Sequence, residues 1–513
     1  MKTIEPQSWK ADLPEFRQKT KQFYDGQLDK GSYKGFSGRY GSYAQRGGQA
    51  SMLRLRMTAG RMTKEKLQFI ADVIDQYHVN LVHLTTCQTV QLHNLDQKAV
   101  CEIMEKALDH GIVTMGGGGD FPRNVMMSPL SGVEEEYFDV LPWAEAAGEH
   151  LMNYINAEKM PRKLKVGFSN SPANVTHATF RDLGFVARPD GKFDVYSAGG
   201  LGANPRFGVK VGEGVEPEKI LYYIQAMWET FRAYGNYENR GKARTRYMQE
   251  KLGAEGYEKA FKEKLCQVMN SGMDLNFVPQ KTEITKRGDG STAEGMWIQP
   301  QKQEGLYSFH YHPIGGAMKP EKFRELYETI KEMDQVEIRL SPDESLYVIN
   351  LTGKEAEKVS QVLEDGAKTR FETSVACIGA SICQVGVRDS QKLLASCVKA
   401  VREAGIPDAA LPQIHISGCP SSCGTHQIGA LGFRGGVKMV DKKPLPAFVL
   451  YLNGCDRQGG ERMGRELGTI LEEDVPLFLT ELGKTVGNTG MEFGQWMETH
   501  EEEIEKIAEK YLQ

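Results

Sequence analysis

The sequence predicts an α+β fold, internally duplicated and pseudo-twofold, with mixed sheets flanked by helices. Two internal matches and one local pattern carry that expectation. Residues 52–95 are matched without a gap by residues 308–351, 256 positions further on. Leu53 falls on Phe309, Gly60 on Gly316, Met62 on Met318, Leu67 on Phe323, Ile74 on Ile330 and Leu95 on Leu351. A second pair joins "KVGFSNSPANVTHATFRDLGF" (165–185) to "IHISGCPSSCGTHQIGALGF" (414–433). There Asn170 and Asn174 take the places of Cys419 and Cys423, and Thr176-His177 those of Thr425-His426, with a one-residue slip before the Gly-Phe pairs. Two copies are too few for a solenoid, so a paired arrangement around a shared site is expected, with the thiols kept in the second copy alone.

The local pattern is strand, helix, two strands. "LRLRM" (53–57) alternates, placing Leu53, Leu55 and Met57 on one face and Arg54 and Arg56 on the other, as in a half-buried strand. "TKEKLQFIADVIDQY" follows as a helix with Thr63 as N-cap and Leu67, Ile70, Ala71 and Ile74 on one face. "NLVHLTTCQTVQLHNL" reads as two strands. The two repeats, 52–95 and 308–351, are expected to join in one sheet assembly. Gly116–Gly119 lacks the spacing of a nucleotide-binding loop and reads as a flexible connection.

Bulk properties narrow the class. At 513 residues the chain has room for two or three domains, and its composition is that of an ordinary globular protein. A net charge of −5 argues against nucleic acid as partner. No run of eighteen apolar residues exists, and "MKTIEPQSWK" has no apolar leader segment. A cytoplasmic location is expected, with no membrane partner. Nine cysteines without an export signal point to a reducing compartment.

Those cysteines divide. Cys101 and Cys397 sit in helical apolar patterns, as buried inert thiols do. Cys266 and Cys455 carry no local signal. Cys377 and Cys383 form C-x5-C, Cys419 and Cys423 form C-x3-C, and both pairs lie in Gly-rich loops. Structural zinc favours shorter spacers, whereas an iron–sulfur cluster takes four thiolates spread more widely. Spacing alone leaves a cluster, zinc and no metal open.

C-x5-C followed by "GCPSSCG" resembles the signature of the sirohaem and iron–sulfur sulfite/nitrite reductases, and the likeness runs from about Tyr43 to the C-terminal region. The resemblance implies a buried sirohaem between the two halves and a [4Fe–4S] cluster on Cys377, Cys383, Cys419 and Cys423. Cys423 would also be the axial thiolate of the sirohaem iron. It implies six-electron reduction of sulfite to sulfide, or of nitrite to ammonia.

The same resemblance assigns the basic residues. The first Arg of R-x-R, the Arg of "FPRN" and the two lysines of "PRKLK" ring the substrate in the family; here these are Arg54, Arg123, Lys163 and Lys165. Gln45 and Arg46 of "YAQRGGQ", together with Arg56, Asn124 and Gln88, are expected to contact the macrocycle, whose eight carboxylates call for cationic and amide donors. In "TTCQTVQLH" Cys87 stands where the family commonly has Arg, which removes one such donor; Cys87 reads either as a redox or ligand side site or as an inert thiol. His93 on its strand reads as a hydrogen-bonded structural histidine. "NYENRGKARTRY" (236–247) resembles a basic helical segment of the family, with Asn239 and Arg244 as structural residues.

The K-x-K pair resembles sulfite reductases, since the nitrite branch typically has Asn at the second place. "GCPSSCG" and the Gly within "CIGASIC" look more like the nitrite branch. No flavin or dinucleotide motif is found, so a separate donor, a ferredoxin or a flavoprotein, is expected. Rival readings are a non-catalytic Fe–S or haem electron carrier and a zinc-binding structural protein. The expected segments are 1–125 (N-terminal arm and first ferredoxin-like half-repeat), 126–300 (first sirohaem-binding half), 301–360 (second half-repeat) and 361–513 (second sirohaem-binding half, with the cluster).

Overall fold

The structure is a computed structural model describing residues 5–157, 159–280 and 283–512. The first four residues, part of the opening stretch expected to hold no leader, lie outside it. The chain separates into two compact units. The first comprises Met1–Gly200, Asn204–Tyr311 and Met318–Glu364; the second comprises Leu201–Ala203, His312–Ala317 and Asp365–Gln513. Among the described residues no helix is long and apolar enough to cross a membrane.

In the first unit the strand Ser51–Arg56 forms where alternation predicts it, but both of its faces are covered: Leu53 and Leu55 are fully buried and Arg56 is only 5% exposed. It joins an antiparallel sheet in the order Ser42–Ala44, Ser51–Arg56, Thr89–Leu95, Val82–Leu84. The helix Lys64–Tyr77 starts at Thr63, whose side chain accepts from the Lys66 N–H. The apolar stripe Leu67, Ile70, Ala71 and Ile74 is buried. The second copy repeats this plan with the strand Tyr307–Tyr311, the helix Pro320–Ile330 and the strands Glu337–Leu340 and Leu346–Leu351. The two helices face one another, and Arg324 reaches across to Asp72 and Asp75.

Backbone conformation follows the duplication closely. Left-handed φ occurs at Ala59 and Gly315, at Gly60 and Gly316, at Gln88 and Glu344, and at Asn94 and Asn350, each pair 256 residues apart. The two copies do not merge into one sheet, as the sequence suggested. Each keeps its own, and Arg61–Met62 of the first copy crosses over to pair with Ile338–Arg339 at the edge of the second. The exchanged strand links the copies through backbone hydrogen bonds and leaves their apolar residues in one continuous core.

The second duplicated pair builds two more sheets of matching topology. In the first unit the order is Val209–Val215, Phe193–Ser197, Leu183–Ala187, Val166–Ser169, Met126–Met127, with parallel pairing at the last three. In the second unit Val375–Ala376, Ile414–Ser417 and Leu431–Val440 pair in parallel, followed by Lys443–Leu452 and Arg465–Leu471 antiparallel. Val166 pairs with Leu183, and Ile414 with Leu431. From Val166 to Phe185 the structural offset is therefore 248, and the slip inferred from sequence within that stretch disappears. Asn174 corresponds to Ser422 and His177 to Thr425, each pair sharing left-handed φ. Val175, not Asn174, occupies the place of Cys423, and Ser171 that of Cys419.

A glycine fixes the tightest point of both sheets. A Cβ on Gly184 would lie 1.8 Å from the Ala178 carbonyl oxygen, and one on Gly432 would lie 1.8 Å from that of His426. Backbone cannot retreat as a side chain can. Gly184→Ala is expected to cost about 3 kcal/mol, the upper part of the overpacking range, seen as a lower calorimetric unfolding midpoint. Gly35→Ala, in the helix Lys30–Ser37 with nothing within 4 Å, is the control and should stay within about 1 kcal/mol of the parent. A Gly184→Ala midpoint equal to the control's would refute the close approach.

Candidate functional site

The first unit gathers cations where the sequence placed them. Arg54 leaves the strand Ser51–Arg56 and donates to the Gly117 carbonyl. Arg123 donates from Nη1 to that same carbonyl at 2.6 Å and from Nη2 to Gly119 O at 2.8 Å. The glycine stretch is thus a packed turn, not a flexible one. A Cβ on Gly118 would lie 2.5 Å from Gly38 O, and one on Gly117 2.8 Å from Thr114 O. Without side chains its carbonyls can come close enough to hold two guanidinium groups.

Lys163 and Lys165 flank Leu164, which bridges in parallel to Pro122. Arg123 N–H donates to Leu164 O at 2.8 Å, so the arginine and the lysine pair are bound by one backbone ladder. Asp182 accepts the Lys165 N–H at 2.8 Å and pairs with Arg244 at 3.0 Å; Thr245 also donates to it. These bonds outweigh the burial of Asp182, and its carboxyl stays below the ordinary range.

The residues expected at the macrocycle fall into two sets. Arg46 is exposed. Gln45, Arg56 and Gln88 spend their amides and guanidinium on the protein itself, as does the Asn124 NH2 group, while Asn124 Oδ1 is buried without a partner. Gln45 bonds Asn94 through both ends of its amide, at 2.8 Å each, and also meets His93. Arg56 donates to the carbonyls of Met115, Pro122 and Arg123. Burial, then the Arg123 and Arg54 charges, push its pKa down to about 9. Gln88 bonds the Met127 and Leu340 carbonyls and the Met127 N–H. Asn124 donates to the Met57, Cys87 and Gln88 carbonyls. These four brace the loops that carry the ring. His93 is 1% exposed, bonded to Gln45 and Gln91, and held neutral by burial, which pushes its pKa to about 3.

Sequence reasoning missed further arginines. The side-chain nitrogens Arg123 Nε, Arg206 Nε, Arg244 Nε and Arg246 Nε and Nη1 are buried without a protein acceptor. Such donors are costly to leave unmet, and a ligand carrying many carboxylates would meet them. The residues present therefore fit sirohaem. The segment 236–247 is helical only from Arg246, with Arg240–Lys242 a short 3-10 turn that Asn239 caps. That turn is what frees Arg244 to reach Asp182.

In the second unit the Cys377 Sγ accepts the Gly418 N–H at 3.2 Å and meets Ser390 Oγ at 3.2 Å. Burial, then the nearby Cys423, push its pKa up to about 12. The first unit repeats this bond with oxygen, since Ser128 Oγ accepts the Asn170 N–H at 3.2 Å. Cys419 is buried, Cys383 half-buried and Cys423 exposed. Among the described residues no three Cys, His, Asp or Glu gather tightly enough for a single metal ion. The Gly418 amide aimed at the Cys377 sulfur is a bond that a cluster-bound thiolate would accept. Cys101 and Cys397 are buried in helices, and burial raises both pKa values, Cys101's to about 11. A cleft of about 630 Å³ lined by Arg17, Tyr24, Asp96 and Cys101 shares none of the ring residues.

Comparison with known proteins agrees with this chemistry. The family described as nitrite/sulfite reductase ferredoxin-like half domain matches residues 43–110 and 299–366. The one described as nitrite and sulphite reductase 4Fe-4S domain matches 118–269. That stretch is the copy without the paired thiols. A sulfite reductase [NADPH] hemoprotein beta-component of Staphylococcus haemolyticus is 24% identical, over 83% of this chain and 78% of the relative. A ferredoxin–nitrite reductase of Synechococcus elongatus is 24% identical, over 84% and 85%. The fold matches that of the Mycobacterium tuberculosis NirA protein, with a TM-score of 0.80 at 21% identity, covering 97% of this chain and 95% of that one. Enzymes of this group work with sirohaem and a [4Fe–4S] cluster. The two half-domain matches, the domain match between them and relatives along most of the chain make one assignment: the chain belongs to the nitrite and sulphite reductase family of oxidoreductases.

Proposed function

We propose that the chain reduces sulfite to sulfide, a six-electron reaction, with nitrite-to-ammonia reduction as the second reading. The observation that supports sulfite is the ladder that fixes Lys163 and Lys165 beside Arg123. Sirohaem and a [4Fe–4S] cluster, when bound, would supply the redox chemistry; the protein's part is position, charge and protons. Arg54, Arg123, Lys163 and Lys165 bind the anion, and the two lysines deliver protons. Cys377, Cys383, Cys419 and Cys423 would hold the cluster, and Cys423 would also ligate the sirohaem iron. Gln45, Gln88, Arg56 and Asn124 keep the loops in place, and Arg46 with the unmet arginines takes the macrocycle's carboxylates. The four segments 1–125, 126–300, 301–360 and 361–513 follow this division of labour. Electrons come from a separate protein, a flavoprotein or a ferredoxin, as the names of the two relatives suggest. The nitrite reading is favoured by "GCPSSCG" and by Gly379, whose φ of +74° suits glycine.

A visible spectrum tests the cofactor: sirohaem absorbs there, a zinc protein does not, and a cluster alone lacks the haem bands. Cys423→Ser should uncouple the two centres, with altered haem and cluster signals in low-temperature paramagnetic resonance and loss of six-electron turnover. Cys397→Ser should leave both signals intact. Normal coupling in Cys423→Ser would remove it as the shared ligand.

Charge sets the anion preference. Two unit charges about 4 Å apart interact by roughly 4 kcal/mol at an effective dielectric near 20, and about 1.4 kcal/mol is one decade. Sulfite carries up to two charges and nitrite one. Lys165→Asn should therefore lower the sulfite-to-nitrite ratio of kcat/KM by about tenfold or more, measured with one reduced donor. A parent that strongly prefers nitrite would overturn the sulfite assignment.

A further inference from the structure

Arg54 and Gln91 are paired on the neighbouring strands Ser51–Arg56 and Thr89–Leu95, and His93 follows on the same face as Gln91. Their polar groups form one chain whose direction is fixed at its far end. The Asn94 N–H, which can only donate, gives its hydrogen to Gln45 Oε1 at 2.8 Å, and Gln45 Nε2 donates to Asn94 Oδ1 at 2.8 Å. Gln45 Oε1 lies 3.3 Å from His93 Nδ1. An oxygen there requires the hydrogen on Nδ1, which leaves Nε2 of a neutral ring as an acceptor. The Gln91 amide must then offer its NH2 group to His93 Nε2, at 3.2 Å, and turn its oxygen to Arg54. In that orientation Gln91 Oε1 accepts from Arg54 Nε at 3.1 Å and also from Arg54 Nη2. Arg54 Nη1 donates to the Gly117 carbonyl. These bonds leave one N–H on each Nη for a ligand. The second copy shows that the scaffold does not need the chain. There His310, Tyr347 and Ile349 take the places of Arg54, Gln91 and His93, and the His310 and Tyr347 rings stack at 4.3 Å.

We propose that His93 and Gln91 are positioning residues for the anion pocket: the hydrogen on His93 Nδ1 turns the Gln91 oxygen toward Arg54, and Arg54 is held with its remaining N–H groups available to the substrate anion. The inference rests on the proposed role of Arg54. An amide suits the task because it grips the guanidinium without cancelling its charge, as a carboxylate would. The chain also needs a neutral ring. A protonated His93 would donate from both nitrogens and draw the Gln91 oxygen to itself, which would set the Gln91 NH2 group against the guanidinium, donor against donor. Burial, then His83 and Arg54, keep the ring neutral by pushing its pKa to about 3.

The test has two arms. A neutron structure of the perdeuterated holoenzyme should show deuterium on His93 Nδ1, none on His93 Nε2, and the Gln91 amide nitrogen turned to His93. Deuterium on Nε2, or the Gln91 oxygen turned to His93, overturns the chain. In turnover, Gln91→Met keeps the length of the side chain and removes the acceptor. It should raise KM for the anion severalfold with a smaller change in kcat, the sign of a lost binding contact, and His93→Phe should move KM the same way. Neither variant should raise KM further when Arg54→Met is also present, because no guanidinium is left to hold. A rise that persists in that background reports general disorder and overturns the positioning role, as does an unchanged KM in Gln91→Met. If His93→Phe does not fold, Gln91→Met and the neutron arm decide between the same outcomes. The neutron arm needs no turnover: a parent that reduced neither anion would refute the proposed activity, while the chain would still stand or fall by the hydrogen on His93.

Discussion

Crowded positive charge is the constraint around which the first unit is arranged. Arg123 and Arg54 weigh on the buried Arg56, Arg54 and Arg162 on Arg123, and Arg244 on Arg181. Burial alone penalises a guanidinium, and neighbouring cations add to that cost. For Arg54, Arg56 and Arg123 the protein answers with oxygen dipoles rather than carboxylates. Backbone carbonyls of Met115, Gly117, Gly119, Pro122 and Arg123 face the three guanidinium groups. Carbonyls stabilise the cations without neutralising them, so the region keeps a net attraction for an anion. A carboxylate in the same place would have satisfied the arginines and removed that attraction.

The need for carbonyls explains the glycines. Residues 116–119 must bring main-chain oxygens close to two arginines while passing within contact of Gly38 and Thr114. A side chain at Gly117 or Gly118 would collide with backbone on either path. The same economy places Arg123 beside the lysines. Its N–H and the Leu164 carbonyl belong to the ladder that positions Lys163 and Lys165, so one short parallel pairing aligns three of the four proposed anion contacts.

Much of this was legible in the sequence, and the gaps have physical causes. The 256-residue repeat was clear because its apolar positions serve one core, and even its left-handed residues recur, as with Asn94 and Asn350. The exchange of Arg61–Met62 was invisible, because two residues carry no period and their partner lies far along the chain. Gln45, Arg56, Gln88 and Asn124 looked like ligand contacts by type. Their actual bonds depend on which carbonyls the fold brings near, and sequence does not state that. Arg206 and Arg246 were missed for the same reason, being ordinary arginines until the burial of their unmet nitrogens is seen; Arg244 read as structural, and it pairs with Asp182. The one-residue slip at the thiol loops arose from matching Asn to Cys by position in a motif. Strand pairing and glycine contacts set the equivalence at 248 residues instead.

That corrected equivalence bears on why one copy of the duplicated loop suits a metal cluster and the other does not. The scaffold is shared down to single hydrogen bonds: the Asn170 N–H meets Ser128 Oγ as the Gly418 N–H meets Cys377 Sγ. Oxygen replaces sulfur at one position, Ser171 stands for Cys419, and Val175, 36% exposed, stands for the exposed Cys423. None of these exchanges falls within a strand: Ser128 and Cys377 follow the strands Met126–Met127 and Val375–Ala376, and the other two pairs lie in the loop before the tight Gly184 and Gly432 contacts. A hydroxyl is far too weak an acid to serve as a thiolate would toward iron. Cluster chemistry in this fold can therefore be gained or lost through a few side chains on a loop whose backbone stays the same. Arg54, Arg56 and Arg123 of the first unit rest instead on main-chain carbonyls that no side-chain exchange can remove.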